Sequence, residues 1–248
     1  MTTAAADLWH HYGRTRAERD RTVPEAFHWL WSQDGGPGPD VLGDVTGMFV
    51  GDLGAGTGRH AAYLATRHRP ARVDALDASP AQHAMATDLY AHLAPRLRLV
   101  HADVVTHLRR APATYDVLYS VFGAVDFTDP RELLPAAATA LRSGGWLVFS
   151  TLAHHLNGAP ARPDVAHSDI PAKTPEGKSA TMRRWVLQEH VWAKQLDEAG
   201  LTGSTSLLLP ASGSGPRPAD TLLVTARRRA TGPRHTQPRL RFPVPRAR

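Results

Sequence analysis

The 248-residue chain contains no cysteine. That excludes disulfides, thiolate metal sites and a cysteine nucleophile, and it fits a cytoplasmic protein. No run approaches the roughly 18 apolar residues of a membrane span. The opening stretch "MTTAAADLWHHYGRTRAERD" lacks a charged start followed by an apolar block, so no secretory signal is expected. Lysine is scarce, three residues against 26 arginines, which reads as coding bias more than as a phosphate-binding design. The formal charge of +6 misleads in a similar way. Residues 227–248 hold eight arginines and no acid, and subtracting those eight from +6 leaves −2 for the rest. The body is mildly acidic and the basicity is a tail, which argues against a nucleic-acid partner.

What is present suffices for one sizeable core, at 42% hydrophobic content. Five short apolar runs, "GMFVGD" (47–52), "RVDALD" (72–77), "RLRLVHAD" (96–103), "YDVLYS" (115–120) and "GWLVFS" (145–150), read as strands of a parallel sheet covered on both faces. Helix signals fall between them. Ser79, Pro80 and Gln82 supply an N-cap, a first-turn proline and a capping-box partner. Asp129, Pro130 and Glu132 repeat the pattern, and Ser143-Gly144-Gly145 is expected to end that helix. Two further strands, "LTGSTSLLL" and "TLLVTAR", follow near the end. The expected fold is α/β: a Rossmann-like, doubly wound, seven-stranded, mostly parallel sheet. Residues 1–42 are expected to form a helical N-terminal cap, 43–227 the main domain and 228–248 a disordered basic tail. An insertion at 151–183, with Pro160, Pro163, Pro171 and Pro175, is expected to act as a substrate lid.

The stretch "FVGDLGAGTGRH" places Gly54, Gly56 and Gly58 directly after the first strand. Such a loop serves a tight turn, or a ligand that approaches bare backbone. The dinucleotide fingerprint fails at its third glycine, where Arg59 stands, and no Walker lysine follows. Asp52, Asp77 and Asp103 fall at or just past three successive strand ends, where parallel sheets bind ligands. An acid after the second strand suits a ribose diol. Asp52 would repel a pyrophosphate but attract an ammonium. A nucleoside bearing an amino acid meets both demands, with its carboxylate at a helix N-terminus.

These segments resemble the class I S-adenosylmethionine-dependent methyltransferases, of small-molecule type. "FVGDLGAGTGRH", "VDALDASP", "LVHAD" and "YDVLYSVFGAVDF" look like their first four motifs, and "ALRSGGWLVFS" like the turn into the fifth strand. Ala55 stands where many members carry Cys. The resemblance implies S-adenosylmethionine as cofactor. It implies Gly54, Ala55, Gly56 and Gly58 beside the cofactor's methionine and ribose, and Asp52 at its amino group. Asp77 and Ala78 would lie at the ribose, Asp103 and Val104 at the adenine, and Ser120 and Val121 near the transferable methyl. Two of the acids also have plain structural readings, Asp77 ahead of the Ser79 cap and Asp103 as cap of "VVTHL".

Methyl transfer from a sulfonium chiefly needs alignment in a dry site, and a base only for some acceptors. His154 and His155, just past the fifth strand, are candidate bases, with His10 and Tyr12 next. Among 14 histidines, most are bystanders. No metal site is expected. The N-P-P-[YF] tetrapeptide of base-amino methylation is absent. The aromatic additions point to a small organic acceptor, such as a specialised metabolite, methylated at O, N or C. RNA methylation by the same core stays open, an NAD-dependent oxidoreductase is disfavoured by Asp52 and Arg59, and a homodimer stays open.

Overall fold

The computed structural model describes residues 7–19, 21–211 and 218–230. Among the described residues nine strands form: β1 (Phe49–Leu53), β2 (Arg72–Asp77), β3 (Leu97–His101), β4 (Tyr115–Val121), β5 (Leu141–Leu152), β6 (Ser168–Lys173), β7 (Ser179–Arg184), β8 (Leu201–Leu209) and β9 (Thr221–Arg228). The helices are α1 (Arg14–Arg19), α2 (Arg59–Arg67), α3 (Pro80–Tyr90), α4 (Val104–Arg109), α5 (Ala124–Phe127), α6 (Pro130–Ala140) and α7 (Glu189–Glu198). Seven strands make one sheet in the order β3-β2-β1-β4-β5-β9-β8. The first five are parallel, and β9 runs antiparallel to both neighbours. The order reverses between β1 and β4, so the crevice of a doubly wound sheet opens past the carboxyl ends of those two strands.

Both faces are buried, which is why the strands read as continuous apolar runs. One face packs Leu53, Leu118, Tyr115 and Phe149 against Leu108, Leu134 and Trp192 of α4, α6 and α7. The other packs Val50, Val73, Tyr119 and Val148 against Leu64 and Tyr90 of α2 and α3. Phe27, Trp29 and Leu42 complete that second layer.

Three expectations need correction. The cap over residues 1–42 is helical for only six described residues, with one 3₁₀ turn at Pro39–Leu42. Gly13, Gly35 and Gly36 adopt positive φ there, and Pro24 and Pro37 interrupt any longer helix. The helix α6 ends at Ala140, ahead of Ser143-Gly144-Gly145. Leu141, fully buried, leaves the helix to pair with Tyr115, and Trp146 next pairs with Val117, so residues 142–145 bulge opposite Asp116. Arg228, assigned to the tail, pairs with Leu201 inside the sheet; residues 231–248 lie outside the described residues. The insertion carries an antiparallel hairpin, β6–β7, and Trp185 beyond it is buried as core.

Candidate cofactor crevice and acceptor face

The turn after β1 is tied to β2, because Gly54 and Ala55 N–H both donate to Leu76 O at 2.9 Å. Gly54, Gly56 and Gly58 all hold positive φ, at 77°, 56° and 77°. They are glycines for different reasons. A Cβ on Gly54 would lie 2.2 Å from Ala124 N, so this glycine lets the loops after β1 and β4 touch backbone to backbone. A Cβ on Gly56 would meet only Gln82 Oε1, at 3.5 Å. At Gly54 the bare backbone serves the neighbouring loop, whatever it offers a ligand.

Asp77 sits at the centre of this arrangement. Its Oδ2 accepts from Gly56 N–H at 2.8 Å and its Oδ1 from Ser79 N–H at 2.9 Å. Burial pushes its carboxyl above the usual range against the pull of those two donors, and Asp7 nearby adds to the rise. Asp52 is 2% exposed and accepts from the Tyr119 hydroxyl at 2.8 Å. Burial first, then repulsion from Asp77, pushes its pKa up to about 7, with Tyr119 opposing. Asp103 is exposed and caps α4, accepting from Thr106 N–H at 2.8 Å, as its structural reading had it. Val104 is buried in the core and Ala78 O pairs with His101 Nε2 at 3.2 Å. Ser120 has a structural role of its own. Its hydroxyl is fully buried and donates to Leu53 O at 2.7 Å, so it ties β4 to β1. Val121, the last residue of β4, is half-buried.

Several residues here escaped the sequence reading. Ser79 caps α3 as expected, accepting from Gln82 N–H, but Gln82 does not return the bond to the cap. Its Nε2 donates instead to Trp9 O and Tyr12 O, at 2.9 and 2.8 Å. Asp7 Oδ2 accepts from Ser79 Oγ and Ala81 N–H. Trp9 stacks edge-on against Phe127 of α5 at 4.6 Å. Residues 7–13 thereby form a strap from α3 to α5, across the crevice. Beside it, Arg184 of β7 donates to Asp126 Oδ2 at 2.6 Å, with both side chains buried, between the rings of Trp31 and Phe127. That pair latches the hairpin to α5. The strap meets the hairpin's turn where His11 Nε2 pairs with Thr174 O at 3.1 Å. No local pattern announces the strap and latch contacts, since each joins residues 57 or more positions apart.

The four candidate bases divide. His154 has both ring nitrogens engaged, Nδ1 with His155 O and Nε2 with Asp220 N–H, so it is a structural residue. His155 is partly buried, and burial first, then Arg184, Arg162 and His154, lowers its pKa below the ordinary imidazole value. His10 Nε2 pairs with Arg14 Nη2 at 3.0 Å. Tyr12 is 62% exposed and touches Trp9 ring to ring. Among the described residues no three His, Asp or Glu side chains gather as metal ligands, and no helix is long and apolar enough to cross a membrane.

Residues 50–145 match the family described as "Methyltransferase domain". No curated protein matches the chain. Among solved structures, an S-adenosylmethionine dependent methyltransferase from Mesorhizobium loti is 23% identical, with 75% of this chain and 94% of that one covered and a TM-score of 0.53. The 1,6-didemethyltoxoflavin-N1-methyltransferase of Burkholderia thailandensis, solved with its acceptor and S-adenosylhomocysteine, is 22% identical over 74% of this chain and 72% of that one, at a TM-score of 0.50. The [4+2]-cyclase SpnF is 16% identical over 91% and 94%, at 0.59. At these identities the likeness is one of fold.

Proposed function

We propose that this chain, whose residues 50–145 match a methyltransferase-domain family, is an S-adenosylmethionine-dependent enzyme that methylates a small organic acceptor, such as a specialised metabolite, in the crevice past β1 and β4. The observation that carries this reading is the sheet order, which sets the glycine turn, Asp52, Asp77 and Asp103 along adjoining strand ends.

The residues fit the cofactor. Gly56 offers backbone with no Cβ in the way, the Asp52 carboxyl is buried two residues ahead of Gly54, and Gln82 carries a buried oxygen without a partner. When bound, the cofactor supplies a methyl on an activated sulfonium. Asp77 would accept the ribose hydroxyls, Asp52 would balance the ammonium directly or through water, and the segment of Ala78, Asp103 and Val104 would border the adenine. Closed over a bound cofactor, the strap and the β6–β7 hairpin would exclude water, which strengthens each polar contact. For a hydroxyl or carbon acceptor, His155 takes the departing proton. A structural neighbour of the same fold holds 1,6-didemethyltoxoflavin beside S-adenosylhomocysteine, which supports a small-molecule acceptor class without naming the acceptor.

Calorimetry tests the reading. S-adenosylhomocysteine is expected to bind and NAD not to. Asp77→Asn, which keeps one side-chain acceptor for a backbone N–H but loses the charge and the second acceptor, is expected to weaken binding by about 1.5–3 kcal/mol, the range for hydrogen bonds to a charged group. Tight NAD binding with no response to S-adenosylhomocysteine would overturn it.

A further inference from the structure

Gln82 lies in the first turn of α3 and is 2% exposed. Its amide has two ends with different surroundings. The nitrogen end donates to the carbonyls of Trp9 and Tyr12, on the strap. The oxygen end is buried, has no partner, and lies beside Gly56 in the glycine turn. Flipping the amide would set its oxygen against two carbonyl oxygens, so the strap itself fixes which end faces the turn. Gly56 is also the residue whose N–H is held by Asp77. The unpartnered oxygen and the ribose-binding carboxylate therefore share one neighbour.

We propose that Gln82 is a positioning residue that couples occupancy of the crevice to closure of the strap, by accepting a hydrogen bond from a ribose hydroxyl of the bound cofactor while its nitrogen holds residues 9 and 12. A buried amide oxygen without a donor is unfavourable, and a donor arriving there removes the penalty. That donor stabilises the one amide orientation that also binds the strap. The coupling is reciprocal: a closed strap presents the oxygen, and a bound ligand holds the strap. A hydrophobic residue at position 82 could do neither. The inference rests on the cofactor reading above and adds to it a link between site and lid.

The experiment is hydrogen–deuterium exchange over residues 7–13 in the full chain, with and without S-adenosylhomocysteine, beside calorimetry on the same samples. The parent is expected to bind and to show slower strap exchange when bound. Gln82→Met, close in shape but with neither donor nor acceptor, is expected to bind about 3- to 10-fold more weakly, the share of one neutral hydrogen bond. Its strap should exchange fast with or without ligand. Gln82→Glu keeps an acceptor and loses both donors, so its strap should exchange fast as well. A parent that binds with no change over residues 7–13 overturns the coupling, as does a Gln82→Met protein that binds and protects the strap like the parent. If Gln82→Met does not fold, the parent and Gln82→Glu decide. A parent that fails to bind S-adenosylhomocysteine overturns the cofactor reading instead, which keeps the two failures apart.

Discussion

Asp52 is a carboxyl removed from water, with one hydroxyl for company. Its pKa of about 7 lies above the ordinary 3.8, so the folded chain keeps a proton that the unfolded chain has already lost. Between those values the folded state binds more protons, and stability therefore falls as pH rises through that window and levels off above about 7. Asp52→Asn removes the charge that must be buried. In ligand-free protein its melting temperature is expected to exceed the parent's above pH 7 and to lose that slope; identical pH profiles for the two would refute the assignment. His155 offers the second residue-scale test. If it is the base, His155→Ala lowers turnover by roughly 10²–10⁴-fold on a hydroxyl acceptor, with cofactor affinity unchanged. His154→Ala, by contrast, should act on stability, because its ring bridges His155 O and Asp220 N–H.

At the scale of elements, the glycine turn is two devices in one. Gly54 permits the loop after β1 to meet the loop after β4, and Gly123 returns the contact, since its Cβ would sit 2.5 Å from Leu53 O. Gly56 instead leaves room on the crevice side. Gly54→Ala adds a methyl inside backbone contact distance and should cost about 2–5 kcal/mol, combining overpacking with left-handed strain. Gly56→Ala carries the strain alone, about 1–2 kcal/mol. Chemical denaturation of both variants checks the ranking, and an equal loss in each would show that the close approach at Gly54 carries no energy. The buried Arg184–Asp126 pair belongs to the same scale, because it fixes the β6–β7 hairpin beside the crevice.

For the molecule as a whole, every residue placed at the crevice or the acceptor face lies within residues 7–230, and the sheet ends at Arg228. The basic segment beyond contributes five of the chain's arginines. A chain ended at Ala230 is expected to bind S-adenosylhomocysteine within about twofold of the parent, a difference of under half a kcal/mol. A large loss of affinity on truncation, read by calorimetry, would give the tail a part in the site. Nonspecific binding to nucleic acid should instead disappear with those charges, since it depends on phosphate neutralisation.

The order of strands and helices, the glycine turn and the acids at the strand ends were legible in the sequence, because each rests on short-range chemistry. Continuous apolar runs mark strands buried on both faces, Ser79 and Asp129 cap the helices that follow them, and a positive φ calls for glycine. Tertiary structure alone decided what those residues touch. Ser120, expected near the methyl, ties β1 to β4 because the two strands lie side by side. Gln82, expected to close a capping box, turns to the strap because Trp9 and Tyr12 offer two carbonyls some 70 residues away in sequence. His154 and His155 are neighbours with equal claims in sequence. Only the fold brings Asp220 to one, tying it by hydrogen bonds, and partly buries the other, where burial first and then Arg184 lower its pKa.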